Sequence, residues 1–316
     1  MTSNAQSSRA DDDNRSSREQ ITDQTFFWLN QILAFSVAAV LIWLAVEVTL
    51  AGIPAIKEFG ASFLTTSAWN PPQSNYGILP MIYGTIVSSL IGLLIAVPIA
   101  IASAVVLSEN FLPVSIRTVL TFLVELLAAI PSVIYGLWGI YVLIPFLLIV
   151  GGWLHQYLGW IPLFSTQPIG PGMLPAGVIL AIMTLPIITA ISRDSLASLP
   201  PELRSAAYGV GSTRWQTIFS VLIPASFSGI VGGIMLGFGR ALGETMAITM
   251  VIGNSNDLSI SLFAPGNTIA SLIASQFPEA SGLQESSLMY AGAVLFLITL
   301  IVNILAEWIV RQVKKY

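Results

Sequence analysis

The sequence predicts an all-α, polytopic membrane protein that crosses the bilayer about six times. Three observations carry that expectation. The first is composition: 55% of the 316 residues are hydrophobic and 9% are charged, whereas a soluble domain carries roughly a quarter charged residues. The second is the length of the apolar runs, which reach the roughly twenty residues that a bilayer core requires. The third is where the basic residues fall. With the N-terminus inside, Arg9, Arg15, Arg18, Arg117, Arg193, Arg204, Arg214, Arg311, Lys314 and Lys315 are cytoplasmic, Lys57 is outside and Arg240 is mid-membrane. That is the asymmetry of the positive-inside rule.

The elements follow in order. Residues 1–25 are polar, with Asp11, Asp12 and Asp13 in a row and many serines, and read as a disordered cytoplasmic tail. Residues 26–80 hold the first span, about Phe26–Leu50, and an outer loop. The first span has no small-residue cleavage site and reads as a retained helix. Residues 81–310 hold the remaining spans, about Met81–Leu107, Ile116–Val150, Leu174–Ile191, Phe227–Ile252 and Leu288–Val310. The third is too long for one straight helix. It contains Pro131 and Pro145 and ends in Gly151 and Gly152, so a kink or break is expected, followed by an interfacial stretch. Residues 311–316 form a short cytoplasmic tail.

Several chemistries are excluded. There is no cysteine and His155 is the single histidine, so the usual zinc, haem and iron–sulfur constellations have no ligands. His155 lies in the aromatic stretch 153–157, an ordinary setting at a membrane interface. Lysine occurs at 57, 314 and 315, and none completes a phosphate-binding Gly-Lys-Ser/Thr loop. Any ATP used must be hydrolysed by another subunit. No carboxylate pair at catalytic spacing stands out in the spans.

The loop between spans four and five predicts a short helix of about two turns. Pro201 suits a first helical turn, Glu202 suits the positive end of the helix dipole, and Gly209 and Gly211 can end the helix. By itself such a stretch reads equally as an interfacial connector.

In span five, Gly229, Gly233 and Gly237 are four apart and line one face, where small residues let membrane helices pack closely. Arg240 and Glu244 are read as continuing that stripe. A mid-span arginine costs at least about 2.5–3.5 kcal/mol. One reading is an Arg240–Glu244 pair that fixes packing. The other is an anion pathway in which Arg240 meets the substrate, because a planar guanidinium fork suits tetrahedral oxyanions. Glu125 reads as a buried acid bonded to a neighbouring helix or a polar patch, or as a residue near that path. Ser132, after Pro131, reads as bonded to its own backbone or as a donor to an anion. Glu47 and Glu307 can reach the interfaces and receive no function.

Two resemblances sharpen these readings. Ser205-Ala206-Ala207, then Gly211, then Val221-Leu222-Ile223-Pro224 resembles the Glu-Ala-Ala…Gly…Ile-x-Leu-Pro loop of ABC importer permeases, with every gap matching. One position departs: the family Glu is Ser205 here, which removes any charge contact that Glu makes. Tyr83-Gly84-Thr85-Ile86, Pro98 and Leu107-Ser108-Glu109 resemble the start of the same domain. The resemblance implies a type I ABC importer permease fold with a cytoplasmic coupling helix. That helix docks on an ATPase subunit through Glu202, Ser205, Ala206, Ala207, Gly211 and Pro224.

The segment from Gly239 to Ala247 resembles the signature of the phosphate-specific (Pst) transporter permease, C-type. So do Ala129–Gly136 and the outer-loop pattern Trp69-Asn70-Pro71 with Tyr76–Pro80. This narrower resemblance implies import of inorganic phosphate across the bacterial plasma (inner) membrane by alternating access. It implies a homologous A-type permease, two ATPase subunits that use ATP and magnesium, and an extracytoplasmic phosphate-binding protein. No cofactor is expected on this chain, nor any enzymatic activity or nucleic-acid binding. Rival readings are the same machine carrying sulfate or molybdate, a passive anion channel, and a membrane-embedded enzyme using Glu125 or Glu244.

Overall fold

The computed structural model describes residues 17–313. Most of the expected N-terminal tail, with Arg9 and Arg15, lies outside the described residues, as do Lys314 and Lys315. The chain divides into two units, residues 1–50 and 51–316. The described part of the first unit belongs to one helix, α1 (Ser17–Phe59), which begins well before Phe26 and continues into the second unit.

The second unit is helical apart from one small hairpin. It contains α2 (Leu79–Ser108), α3 (Val114–Ala129), α4 (Ser132–Leu158), α5 (Met173–Ala197), α6 (Pro201–Gly209), α7 (Arg214–Ala225), α8 (Phe227–Leu242), α9 (Met246–Val251), α10 (Ile269–Gln276) and α11 (Leu283–Val313). Helices α1, α2, α4, α5 and α11 are long and apolar enough to span a membrane, and α7 with α8, bent by 69°, brings the number to as many as six. Two of the helices carry a π turn, α4 at Gly139–Leu143 and α7 at Ile218–Leu222.

Two expected spans change shape. The third is broken, as its prolines suggested: α3 stops at Ala129, Ile130 and Pro131 are extended, and α4 starts at Ser132. The fifth, read as one continuous helix over Phe227–Ile252, is also broken. Helix α8 ends at Leu242 and α9 starts at Met246. The cluster of Gly237, Gly239 and Gly243 explains this, because glycine is the weakest helix former after proline.

Small residues bring α2 against α5. A Cβ on Gly92 would sit 2.8 Å from the Leu180 Cβ, and one on Gly177 would strike Ile91. Ala96, Ala100 and Ala104 recur four apart on α2 and are fully buried, with Ala96 and Ala100 packed against Ala181 and Ile188 of α5. Apolar helices gain little from hydrophobic transfer within lipid, so van der Waals contact at this spacing is what holds them together. The Thr189 hydroxyl adds a bond to the Ala100 carbonyl at 3.5 Å.

Before α2 in the chain, the hairpin β1 (Trp69–Asn70) and β2 (Asn75–Tyr76) pairs Trp69 with Tyr76. The Trp69 indole donates to Gln276 Oε1 at 2.7 Å. Both aromatics join a core with Phe63, Ile78, Met81, Leu272 and Leu288. The outer-loop pattern from Trp69 to Pro80 is thus a packed plug, tied to α10 and α11. The His155 ring bonds the Phe164 carbonyl at 2.8 Å, staying within the loop that follows α4.

Candidate functional site

The site has two parts, a groove beside Arg240 and the polar loop that carries α6.

The glycines of α8 serve two faces. An added Cβ at Gly229 would strike Ser195, at Gly233 it would lie 3.1 Å from Ile191, and at Gly237 it would lie 2.8 Å from Ile188. This face is pressed on α5, as the four-residue spacing implied. Gly232 and Gly239 have nothing within 4 Å of an added Cβ. They face a groove of about 560 Å³ lined by Ile187, Met235, Leu236, Arg240 and Asn303. Arg240 therefore belongs to the open face of α8, not to the packed glycine stripe. Asn303, on α11, is exposed in the groove. It breaks an otherwise apolar run, a visible signal to which sequence reading gave no weight.

Glu244 does not continue the stripe either. It lies in the three-residue break after α8, and its Oε1 accepts from the Ala247 amide at 3.2 Å. It thereby satisfies one of the free amides at the start of α9. Among the described residues no ion pair joins it to Arg240. The reading of an Arg240–Glu244 pair holding the packing is therefore not what the structure contains.

Ala241, the residue after Arg240, shares a buried cluster with Tyr135 of α4. The Tyr135 hydroxyl donates across the break to the Leu127 carbonyl at 2.8 Å. Helix α4 packs on α9 through glycines: a Cβ on Gly136 would sit 3.2 Å from Ala247 Cα, and one on Gly139 would sit 2.8 Å from Val251. Ser132 is half-buried at the first turn of α4, one turn before Gly136. The two broken spans thus meet side by side, and Ser132, Tyr135, Arg240 and Glu244 lie at or near the breaks. Glu125 stands apart. It pairs with Arg193 of α5 at 3.6 Å, and Arg193 also holds Asp194 at 2.8 Å. The bond to a neighbouring helix is present, but the acid is exposed rather than buried.

Helix α6 forms where the loop predicted it. Pro201 and Glu202 occupy its first turn. Beyond its end, the Gly211 amide donates to the Tyr208 carbonyl at 3.0 Å and the Ser212 amide to the Ala207 carbonyl at 3.1 Å. With Gly211 at φ +87°, this is a Schellman cap, and the left-handed residue is the glycine of the motif. Glu202, Ser205 and Ala206 are exposed, while Ala207 is buried. The Ser205 hydroxyl returns to the Pro201 carbonyl at 3.3 Å. Thr213 starts α7 with a reciprocal capping box to Gln216. Pro224 is exposed near the end of α7, just before the bend at Ser226.

The comparisons with known proteins agree with this architecture. Residues 96–315 match the family described as binding-protein-dependent transport system inner membrane component, and the chain belongs to that family. It is a permease component of such a system, not an enzyme. Relatives named phosphate transport system permease protein PstC occur in Mesorhizobium japonicum, at 43% identity over 94% of this chain and 92% of theirs. Another is in Pasteurella multocida, at 46% over 83% of each. A probable PstC of Methanocaldococcus jannaschii is 37% identical over 84% of this chain and 86% of its own.

Among solved structures, a chain of a bacterial alginate ABC transporter with its alginate-bound periplasmic protein superimposes with a TM-score of 0.62. The two are 19% identical, with 92% of this chain and 96% of that one covered. A chain of the MetNI methionine ABC transporter gives 0.51 at 19% identity, covering 75% and 94%. At such identities the likeness is one of fold, the type I importer fold.

Proposed function

We propose that this chain is the C-type permease subunit of an ATP-driven importer of inorganic phosphate. The observation that carries the reading is Arg240: a guanidinium in the last turn of α8, without a carboxylate partner among the described residues, lining an open groove, inside the Gly239–Ala247 segment that resembles the phosphate-permease signature. A charge in a mostly apolar groove of a membrane protein is costly, and the anion that passes supplies the compensation. Ser132 at the start of α4 adds a hydroxyl donor, and Glu244 holds the break open by capping α9. Glu125 is engaged by Arg193 and does not line the groove. The PstC names of the relatives favour phosphate over sulfate or molybdate.

The chain works beside a homologous A-type permease, two ATPase subunits that hydrolyse ATP with magnesium, and an extracytoplasmic phosphate-binding protein. Both termini are cytoplasmic, by the placement of the basic residues. Helix α6 is the coupling helix, presenting Glu202, Ser205 and Ala206 outwards, with Ala207 packed beneath, Gly211 shaping the exit and Pro224 stiffening the end of α7. ATP-driven closure of the ATPases pushes α6 and opens the path between the two permeases.

Uptake of labelled phosphate in membranes with verified assembly tests this. A guanidinium fork makes two charge-assisted bonds of about 1.5–3 kcal/mol each, so Arg240→Ala should lower uptake by at least about a hundredfold. Arg240→Lys should recover little, because the fork is lost. Glu244→Gln keeps an acceptor for the Ala247 amide and should retain most activity, whereas Glu244→Ala loses the cap. Near-normal uptake in Arg240→Ala would sink the assignment.

A further inference from the structure

One guanidinium, on α6 itself, joins the ends of α2 and α5. Arg204 donates through Nε to both oxygens of Glu109, at 3.2 and 3.3 Å, and through Nη2 to Glu109 Oε1 at 2.8 Å. Nη2 also reaches the Leu196 carbonyl at 2.9 Å, and Nη1 reaches the Leu199 carbonyl at 3.1 Å. Leu196 lies in the last turn of α5, where carbonyls lack partners within the helix. Glu109 follows the last residue of α2. Its side chain is 9% exposed, and that of Arg204 is 21% exposed.

Arg204 caps free carbonyls at the end of α5, but its ion pair with Glu109 adds little to folding. A carboxylate at a helix C-terminus opposes the helix dipole, and a buried ion pair is commonly no more stabilising than apolar residues of similar size. What a bidentate fork adds is fixed geometry. Two residues along, Phe111 carries the Arg214 guanidinium 3.7 Å above its ring and packs on Trp215 at 5.5 Å between centroids. Residues 109–111 therefore grip both α6 and the start of α7. Beneath them Ala104, Val105, Leu196, Ile218 and Leu222 form a buried cluster.

We propose that the Glu109–Arg204 pair is the linkage through which a displacement of α6 is passed to α2 and α5. These are positioning residues, and the inference rests on reading α6 as the coupling helix. Helices α2 and α5 are already locked by the close contacts at Gly92 and Gly177, so a push delivered to their cytoplasmic ends moves both together. With the pair cut, α6 turns against those ends and ATP is spent without translocation.

The test uses the complete complex in proteoliposomes with its binding protein and inorganic phosphate, and reads phosphate moved per ATP hydrolysed. Glu109→Gln and Arg204→Lys should keep ATP hydrolysis and lower that ratio about 5–150-fold, the span of ordinary coupling free energies. The double variant Glu109→Leu with Arg204→Met leaves no unpaired buried charge. It should assemble normally and show the same low ratio. A wild-type ratio in the double variant would overturn the proposal, and so would uptake and hydrolysis falling in step. A second measurement is independent of the substrate: spin labels at Val210 and Leu94, both exposed, follow α6 and α2 when ATP is added. In wild type the two should shift together, and in the double variant Leu94 should stay still. If Leu94 moves as far in the double variant as in wild type, the linkage is refuted, whatever anion the complex carries.

Discussion

The end of α6 assigns opposite consequences to the same substitution at two neighbouring glycines. Gly211 occupies φ +87°, and its amide and that of Ser212 close the helix on Tyr208 and Ala207. Nothing lies within 4 Å of an added Cβ, so the cost of Gly211→Ala is purely that of left-handed backbone, about 1–2 kcal/mol. Gly209 is the last helical residue, also with open space around an added Cβ. Alanine there should stabilise α6 by about 0.5–1 kcal/mol. The two variants should therefore differ by about 1.5–3 kcal/mol. Gly211→Asn should recover part of the loss, because asparagine tolerates this conformation. The assay is hydrogen exchange at the Gly211 and Ser212 amides in the assembled complex, alongside ATP-driven uptake. Gly211→Ala should speed exchange about 5–30-fold and lower uptake, while Gly209→Ala should do neither. Equal exchange in the two variants would refute the cap as the reason for the motif glycine.

Two further outcomes follow from the packing and the charges. Gly229→Ala drives a methyl into Ser195 and should cost about 1–3 kcal/mol, whereas Gly232→Ala enters open space. Thermal unfolding of the purified complex in detergent should separate the two, and an equal loss would contradict the two-faced α8. For topology, a reporter fused after Val313 should read cytoplasm, and one inserted in the 254–282 loop should read the outside. The same side for both would show that a span has been miscounted.

The long apolar runs, the break at Pro131 and the helix over Pro201–Gly209 were legible because each rests on local chemistry: bilayer length, a missing amide, a cap. The packed face of Gly229, Gly233 and Gly237 was legible from spacing alone. The position of Arg240 was not. The four-residue spacing continues from Gly237 to Ala241, which is buried, so Arg240 turns to the groove, while the break at 243–245 moved Glu244 out of register and gave it the Ala247 amide to cap. The Glu109–Arg204 pair spans 95 residues, and no periodicity reports such a contact. Asn303 was visible as a lone amide in an apolar run, but without its groove it had nothing to bind.

The π turns in α4 and α7 carry a consequence for how this chain tolerates length changes. In an ordinary helix, deleting one residue turns everything beyond it by about 100°, which in a packed membrane helix exchanges buried and exposed faces. A π turn already holds one residue more than the α-helical turn it replaces. Removing Tyr141, whose side chain is 75% exposed, would return Gly139–Leu143 to α geometry and leave Gly136 on Ala247 and Gly151 on Phe263 where they are now. The single-residue gaps that divide lineages should therefore collect at these two turns. A chain lacking Tyr141 should still insert and assemble, whereas one lacking Ile182, in the regular stretch of α5, should not.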